Sequence, residues 1–262
     1  MTSAAAIGRS LCTYYAPGRA PRLDAFHARF VAAGELTFDI GAHVGDRTAS
    51  FRRLGARVVA VEPQPRLLRL LRLLFGRDPG VALVGALLGA AEGEAVLRLN
   101  RANPTVATAS DAFVAAASGA AGWEGQVWDA ALTLPVTTLD ALIAAHGEPA
   151  FAKIDVEGFE AAVLAGLSRP LRALSFEFTT IQRDVAHDCL ARLAALGYGA
   201  FNACLGEGME FAHAEPLDAA AMGAWIAALP HAANSGDVYA SLDPARLRGG
   251  TCMPARELDR RP

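Results

Sequence analysis

The chain has 262 residues, 53% of them hydrophobic and 19% charged; a sequence of that size and apolarity buries a full core, which excludes wholesale disorder and fits one α/β domain with extensions. Its formal net charge of -3 gives no reason to expect nucleic acid or an anionic membrane as partner. Cys12, Cys189, Cys204 and Cys252 are far apart and form no C-x-x-C pair, so neither a zinc site nor a disulfide framework is expected, and scattered thiols fit a reducing, cytoplasmic compartment.

Residues 1–20 are small and polar with Pro17 and Gly18 and read as a flexible lead-in without the apolar core of a signal peptide. A helix is predicted over 22–33, a strand over 35–40, a helix over 46–54 and a buried parallel strand over 57–61. An amphipathic helix over 65–75 sets Arg66, Arg69 and Arg72 on a solvated face and Leu67, Leu70, Leu71 and Leu74 on the other. Strands follow over 81–87 and 94–99. The longest apolar run, 81–91, is too short to span a bilayer, so no membrane insertion is expected.

Residues 100–134 are rich in Ala, Gly, Ser and Thr with Trp123 and Trp128; the pattern leaves strands and a flexible loop both open, and a substrate-side insertion is expected. Beyond it come a helix over 137–146 with Thr137 or Thr138 as N-cap, a strand over 151–156 and a helix over 159–166. A strand over 173–178 precedes a helix over 183–196 closed by Gly197. A strand over 200–205 with a hairpin partner at 209–212, a helix over 217–229 and a strand over 238–242 complete the domain at about 245; 246–262 read as a tail. Strands alternating with helices predict a doubly wound, mostly parallel sheet, whose ligands sit at the carboxyl ends of the strands.

The first such end reads Asp39-Ile40-Gly41-Ala42-His43-Val44-Gly45. Glycines let the backbone approach a ligand, and the following helix start offers free N–H groups. A dinucleotide fingerprint needs glycine where His43 stands, which tilts the reading from a pyrophosphate toward S-adenosylmethionine. Glu62, followed by Pro63, ends the second strand 21 residues past Gly41; a carboxylate there accepts hydrogen bonds from both hydroxyls of a ribose.

Lys153, Asp155 and Glu157 alternate along the end of an otherwise apolar strand. Charges in such a position are costly unless paired or functional, and lysine was retained here although arginine supplies the other 23 basic residues. Glu177, at the next strand end, is expected beside Asp155. These four are the candidate catalytic residues, with carboxylates as base and lysine as orienting group; a structural ion pair is the alternative. His43, His146, His187 and His231 are further base candidates. A carboxylate-bound metal stays open as an alternative, but no metal-ligand spacing stands out and no metal residue is assigned.

The pieces Phe38–Gly45, Val61-Glu62-Pro63, Pro135-Val136-Thr137-Thr138-Leu139-Asp140 and Lys153-Ile154-Asp155-Val156-Glu157-Gly158 resemble the FkbM-type methyltransferases over about 35–180. The last two carry most of the specificity. The resemblance implies a Rossmann-like class I methyltransferase fold with a seven-stranded, mostly parallel sheet and helices on both faces. It implies S-adenosyl-L-methionine as donor and O-methylation of a sugar, glycan or polyketide-like acceptor. By that resemblance Gly41 and Gly45 cradle the methionine part and Glu62 the ribose, with Asp39, His43 and Pro63 beside them. The rival readings are an NAD(P)-dependent oxidoreductase, which lacks a Tyr-x-x-x-Lys pair here, and a cofactor-binding module without transfer activity.

Overall fold

Residues 3–249 are described by the computed structural model. Five consecutive buried residues make Leu36–Ile40 (β1) a central strand, because only a strand covered on both faces is apolar throughout. It pairs in parallel with Arg57–Val61 (β2) on one side and with Phe151–Ile154 (β7) on the other. Between the latter two the chain makes Val81–Val84 (β3), Leu87–Leu88 (β4), Gly93–Leu99 (β5) and Ala130–Thr137 (β6); Ala173–Thr179 (β8), Phe201–Leu205 (β9) and Ser235–Ser241 (β10) follow. The main sheet has the order β3-β2-β1-β7-β8-β10-β9. It is parallel except for β10, which runs antiparallel between β8 and β9.

Period-two alternation assigns the two faces. Val59, Val61, Phe38 and Ile40 pack with Leu139–His146 (α6), Glu160–Ala165 (α7), Arg183–Ala195 (α8) and Ala219–Ala228 (α9). Val58, Ala60, Phe151 and Tyr239 pack on the opposite face with Arg19–His27 (α2), Asp46–Arg53 (α3) and Pro65–Phe75 (α4). Helices therefore cover both faces, as the expected class I fold requires. The α4 arginines are exposed as expected, but of the four leucines assigned to its inner face Leu74 remains 48% exposed. Thr138 caps α6 through a hydrogen bond from the Ala141 N–H.

Four segments differ from the sequence reading. The expected lead-in contains the helix Ser3–Tyr14 (α1), held at its end by the Tyr15 hydroxyl donating to the Val44 carbonyl; its alanines favour helix more than its polarity favours coil. Residues 100–134 are structured. They carry a 3-10 turn Pro104–Val106, the helix Asp111–Ala117 (α5) and β6, and β4-β6-β5 form a second, three-stranded sheet. Phe113 and Trp123 make a small core of their own there, with Trp128 against it, and the Trp128 indole donates to the Val106 carbonyl. The hairpin expected at 209–212 does not form; that segment is irregular, and β9 instead takes a single bridge from Leu217. The expected tail begins with the 3-10 turn Pro244–Leu247, whose Leu247 is fully buried; its remainder from 250 lies outside the described residues.

Candidate active site

The carboxyl ends of β1, β2, β7 and β8 open on one cleft with about 970 Å³ of empty space counted to its mouth. At one end Gly41 turns the chain at φ +82°, and the Gly41 and Ala42 N–H groups both donate to the Val61 carbonyl at 2.9 Å. A Cβ on Gly41 would lie 1.8 Å from the Asp155 carbonyl oxygen. Only glycine fits that approach of β1 to the end of β7.

His43 follows at φ +47°, and its N–H donates to Glu62 Oε2 at 2.9 Å while the Gln64 N–H donates to Glu62 Oε1 at 2.8 Å. Each carboxylate oxygen has two lone pairs, so each keeps one for a further donor. Burial pushes the Glu62 carboxyl up to about 8 against the pull of these two N–H groups. Asp39, at the end of β1, is likewise pushed up by burial, to about 6, although it accepts from the Thr48 hydroxyl. The His43 ring stands edge-on to Tyr14 with centroids 5.4 Å apart, and burial drives it toward the neutral form.

Pro63 also lines the cleft, but Gly45 does not. A Cβ on Gly45 would lie 2.5 Å from Phe75 and 2.8 Å from Leu71, so its requirement comes from packing α3 against α4.

The cleft is roofed by groups the sequence reading did not single out. Tyr14 comes from α1, and Arg47 bridges Asp46 at 2.5 Å and Glu207 at 2.7 Å. Arg19 joins the same two carboxylates at 3.3 and 2.6 Å. Burial alone would raise Glu207, but Arg47 and Arg19 outweigh it and hold its carboxyl at about 2. Tyr14 and Arg19, Asp46 and Arg47, and Glu207 come from three separate stretches of the chain and carry no motif in common; only the fold unites them.

Beside the Gly41 turn the same cleft holds all four predicted catalytic residues. Lys153 is 3% exposed and donates to Asp237 Oδ1 at 2.6 Å and Asp155 Oδ2 at 3.1 Å. Burial works against its charge, yet Asp155 and Asp237 prevail and keep it an ammonium. Asp155, Glu157 and Glu177 each bring a carboxylate oxygen within 4.8 Å of the others. Glu157 sits at φ +56°, a conformation that costs a non-glycine residue about 1–2 kcal/mol. Thr108 stabilises that turn by donating its hydroxyl to the Glu157 carbonyl at 2.6 Å. Burial and the neighbouring Asp155 carboxylate raise both Glu157 and Glu177. Glu160, behind them, accepts from the Val156 N–H and is raised by burial to about 7.

Asp237 was not anticipated. Its signal is a lone acid inside the apolar run of β10, opposite Glu177 in the ladder. Of the four histidines named as base candidates, His43 lines the cleft and His146, His187 and His231 do not. Cys12, Cys189 and Cys204 are free thiols. No described helix is long and apolar enough to cross a membrane.

Comparison with curated protein sequences gives no match. Among solved structures the chain is similar to a precorrin-6Y C5,15-methyltransferase from Geobacter metallireducens, with 16% identity, coverage of 85% of this chain and 86% of that one, and TM-score 0.40. A TehB-like SAM-dependent methyltransferase from Corynebacterium glutamicum gives 12% identity, 89% and 92% coverage and TM-score 0.44. Fibrillarin from Aeropyrum pernix, solved with bound S-adenosyl-L-methionine, gives 14% identity, 83% and 76% coverage and TM-score 0.42. The methyltransferase FkbM domain matches residues 39–199, which leaves the oxidoreductase reading without support. Covered by that match over more than half of its length, and carrying the glycine turn, Glu62 and the Lys153–Glu157 strand end within it, the chain belongs to the FkbM methyltransferase family.

Proposed function

We propose that this chain transfers a methyl group from S-adenosyl-L-methionine to a hydroxyl of a sugar, glycan or polyketide-like small molecule. The observation that carries the reading is what one cleft brings together: a glycine turn beside a buried, half-occupied Glu62 carboxylate, and a Lys153–carboxylate cluster next to that turn.

S-adenosyl-L-methionine is the donor the family uses, and the residues fit it. Glu62 retains an acceptor lone pair on each oxygen for a ribose diol, held in position by the His43 and Gln64 N–H groups. Gly41 lets the backbone pass close beneath the amino acid portion, and Asp39 and Pro63 border it. When bound, the donor supplies a methyl group on a positively charged sulfur. The protein's own task is then to align an acceptor oxygen and take its proton. Alignment of this kind supplies roughly 7–11 kcal/mol in favourable cases. Lys153, an ammonium with no proton to accept, orients the acceptor; the carboxylates of Asp155, Glu157 and Glu177 receive its proton. The polar lining at this end favours a hydroxylated acceptor over an apolar one.

Two measurements test the reading. Tritiated-methyl transfer against pooled glycans and small hydroxylated metabolites is expected to label an oxygen; labelling of nitrogen or nucleic acid only would overturn it. Glu62→Gln is expected to weaken S-adenosylhomocysteine binding roughly 30-fold by calorimetry with unchanged circular dichroism, since about 2 kcal/mol of charge-assisted hydrogen bonding is lost. Equal affinity would remove Glu62 from the ribose site.

A further inference from the structure

We infer that Asp155, Glu157 and Glu177 form a divalent-cation site at the acceptor end of the cleft. The three carboxylates come from the ends of β7 and β8 and the turn between β7 and α7, and their nearest oxygens all fall within 4.8 Å of one another. Two ligands on opposite sides of a Mg²⁺ ion lie about 4.2 Å apart, and on opposite sides of Ca²⁺ about 4.8 Å. Three oxygens within that span share a centre no more than about 2.8 Å from each, so a small inward adjustment of the side chains brings all three to the bonding distance of a single ion.

A second observation separates this cluster from an ordinary acidic surface. Glu157 is only 8% exposed, and among the described residues its carboxylate accepts no hydrogen bond and makes no ion pair, although its main-chain carbonyl is bonded to Thr108. Its side chain points at Asp155 and Glu177 instead. Glu177 Oε2 is fully buried with no hydrogen-bond partner either. Buried carboxylates left without a donor are costly and call for a cation or a proton. The nearby ammonium does not meet that demand: Lys153 spends its closest contact on Asp237 and its next on Asp155. Arg47 is held by Asp46 and Glu207. Oxygen-only donors suit a hard cation such as Mg²⁺, Mn²⁺ or Ca²⁺.

The site opens on the same cleft as Glu62, so open positions on the cation face the acceptor. Three protein ligands leave room for two acceptor oxygens on a six-coordinate ion. The acceptor class that follows bears neighbouring oxygens, as in a vicinal diol or an α-hydroxy carbonyl; the ion lowers the pKa of the hydroxyl to be modified, and its proton passes to an oxygen of the three carboxylates that is not bound to the ion. That acceptor class, but not the cation site, rests on the methyl-transfer reading above.

The test uses the full chain, stripped with EDTA and dialysed. Mn²⁺ is titrated and the free ion followed by electron paramagnetic resonance, with S-adenosylhomocysteine affinity measured on the same sample. One saturable Mn²⁺ site per chain is expected, displaced by Mg²⁺ or Ca²⁺. The double variant Glu157→Gln/Glu177→Gln is expected to bind Mn²⁺ at least 30-fold more weakly while keeping its S-adenosylhomocysteine affinity. Asp155→Asn serves as the second probe should the double variant not fold. No saturable binding by the unaltered chain up to millimolar Mn²⁺, or binding unchanged in the variants, overturns the site and leaves shared protons as what holds the three carboxylates together. Mn²⁺ binding without S-adenosylhomocysteine binding would instead sink the donor reading and spare the cation site.

Discussion

Glu62 and Gly41 show how much one residue contributes here. A carboxyl raised to about 8 from its ordinary 4.5 holds its proton more tightly in the folded chain than in the unfolded one. Stability therefore falls as pH rises through that window, because the unfolded chain releases the proton first. A positively charged donor favours the ionised form and offsets the loss. The thermal shift produced by S-adenosyl-L-methionine is thus expected to be larger at pH 8 than at pH 6; equal shifts would detach Glu62 from the donor. Gly41→Ala brings a methyl group onto the Asp155 carbonyl at a left-handed position. Denaturant unfolding is expected to show a loss of about 3 kcal/mol or more, a magnitude reserved for strained or overpacked sites. Both residues were legible in the sequence, since a glycine after a strand and an acid after the next have few other reasons to stand there. Gly45 reads the same way, and there a side chain would meet Phe75 and Leu71 of α4, a constraint that spacing alone does not reveal.

The insertion between β5 and β6 lines the cleft with Pro104, Thr105, Ala107 and Ala109 and bonds to the Glu157 turn through one hydroxyl. Thr108 is fully buried and holds the Glu157 turn by its bond to the carbonyl. Thr108→Val keeps the shape and removes that donor. The expected outcome is at least tenfold lower methyl transfer with a smaller change in S-adenosylhomocysteine affinity, because Glu62 is held by the His43 and Gln64 N–H groups and not by this turn. A variant as active as the parent would leave the insertion a spectator. The strands and helices of the main sheet were legible because their period-two and 3.6-residue patterns are set by burial on both faces. The insertion was not: its small core of Phe113, Trp123 and Trp128 is assembled from residues spaced irregularly, and no window of sequence repeats. Helix α1 escaped for a similar reason, as its alanines signal helix but not what it docks on.

Across the whole molecule, the roof of the cleft is a joint product of distant segments. Tyr14, Asp46, Arg47 and Glu207 line the cleft together, and Arg19, paired with Asp46 and Glu207, lies 5.3 Å from the Tyr14 ring. Tyr14→Ala together with Arg19→Ala is expected to speed S-adenosylhomocysteine release at least fivefold in stopped-flow measurements, with a smaller effect on its capture. Unchanged release would show that the donor leaves by another route. This closure could not be read from sequence, since ion pairs between residues 19, 47 and 207 depend on the final geometry alone.

The reversed direction of β10 has a consequence for assembly. Every other contributor to the acceptor end lies at or just past the finish of a parallel strand, whereas Asp237 enters near the beginning of the last one, between β8 and β9. A nascent chain that has emerged only as far as residue 234 possesses six strands of the sheet but leaves Lys153 without its nearest counter-ion. Lys153 gains its nearest counter-ion only once β10 has paired between β8 and β9.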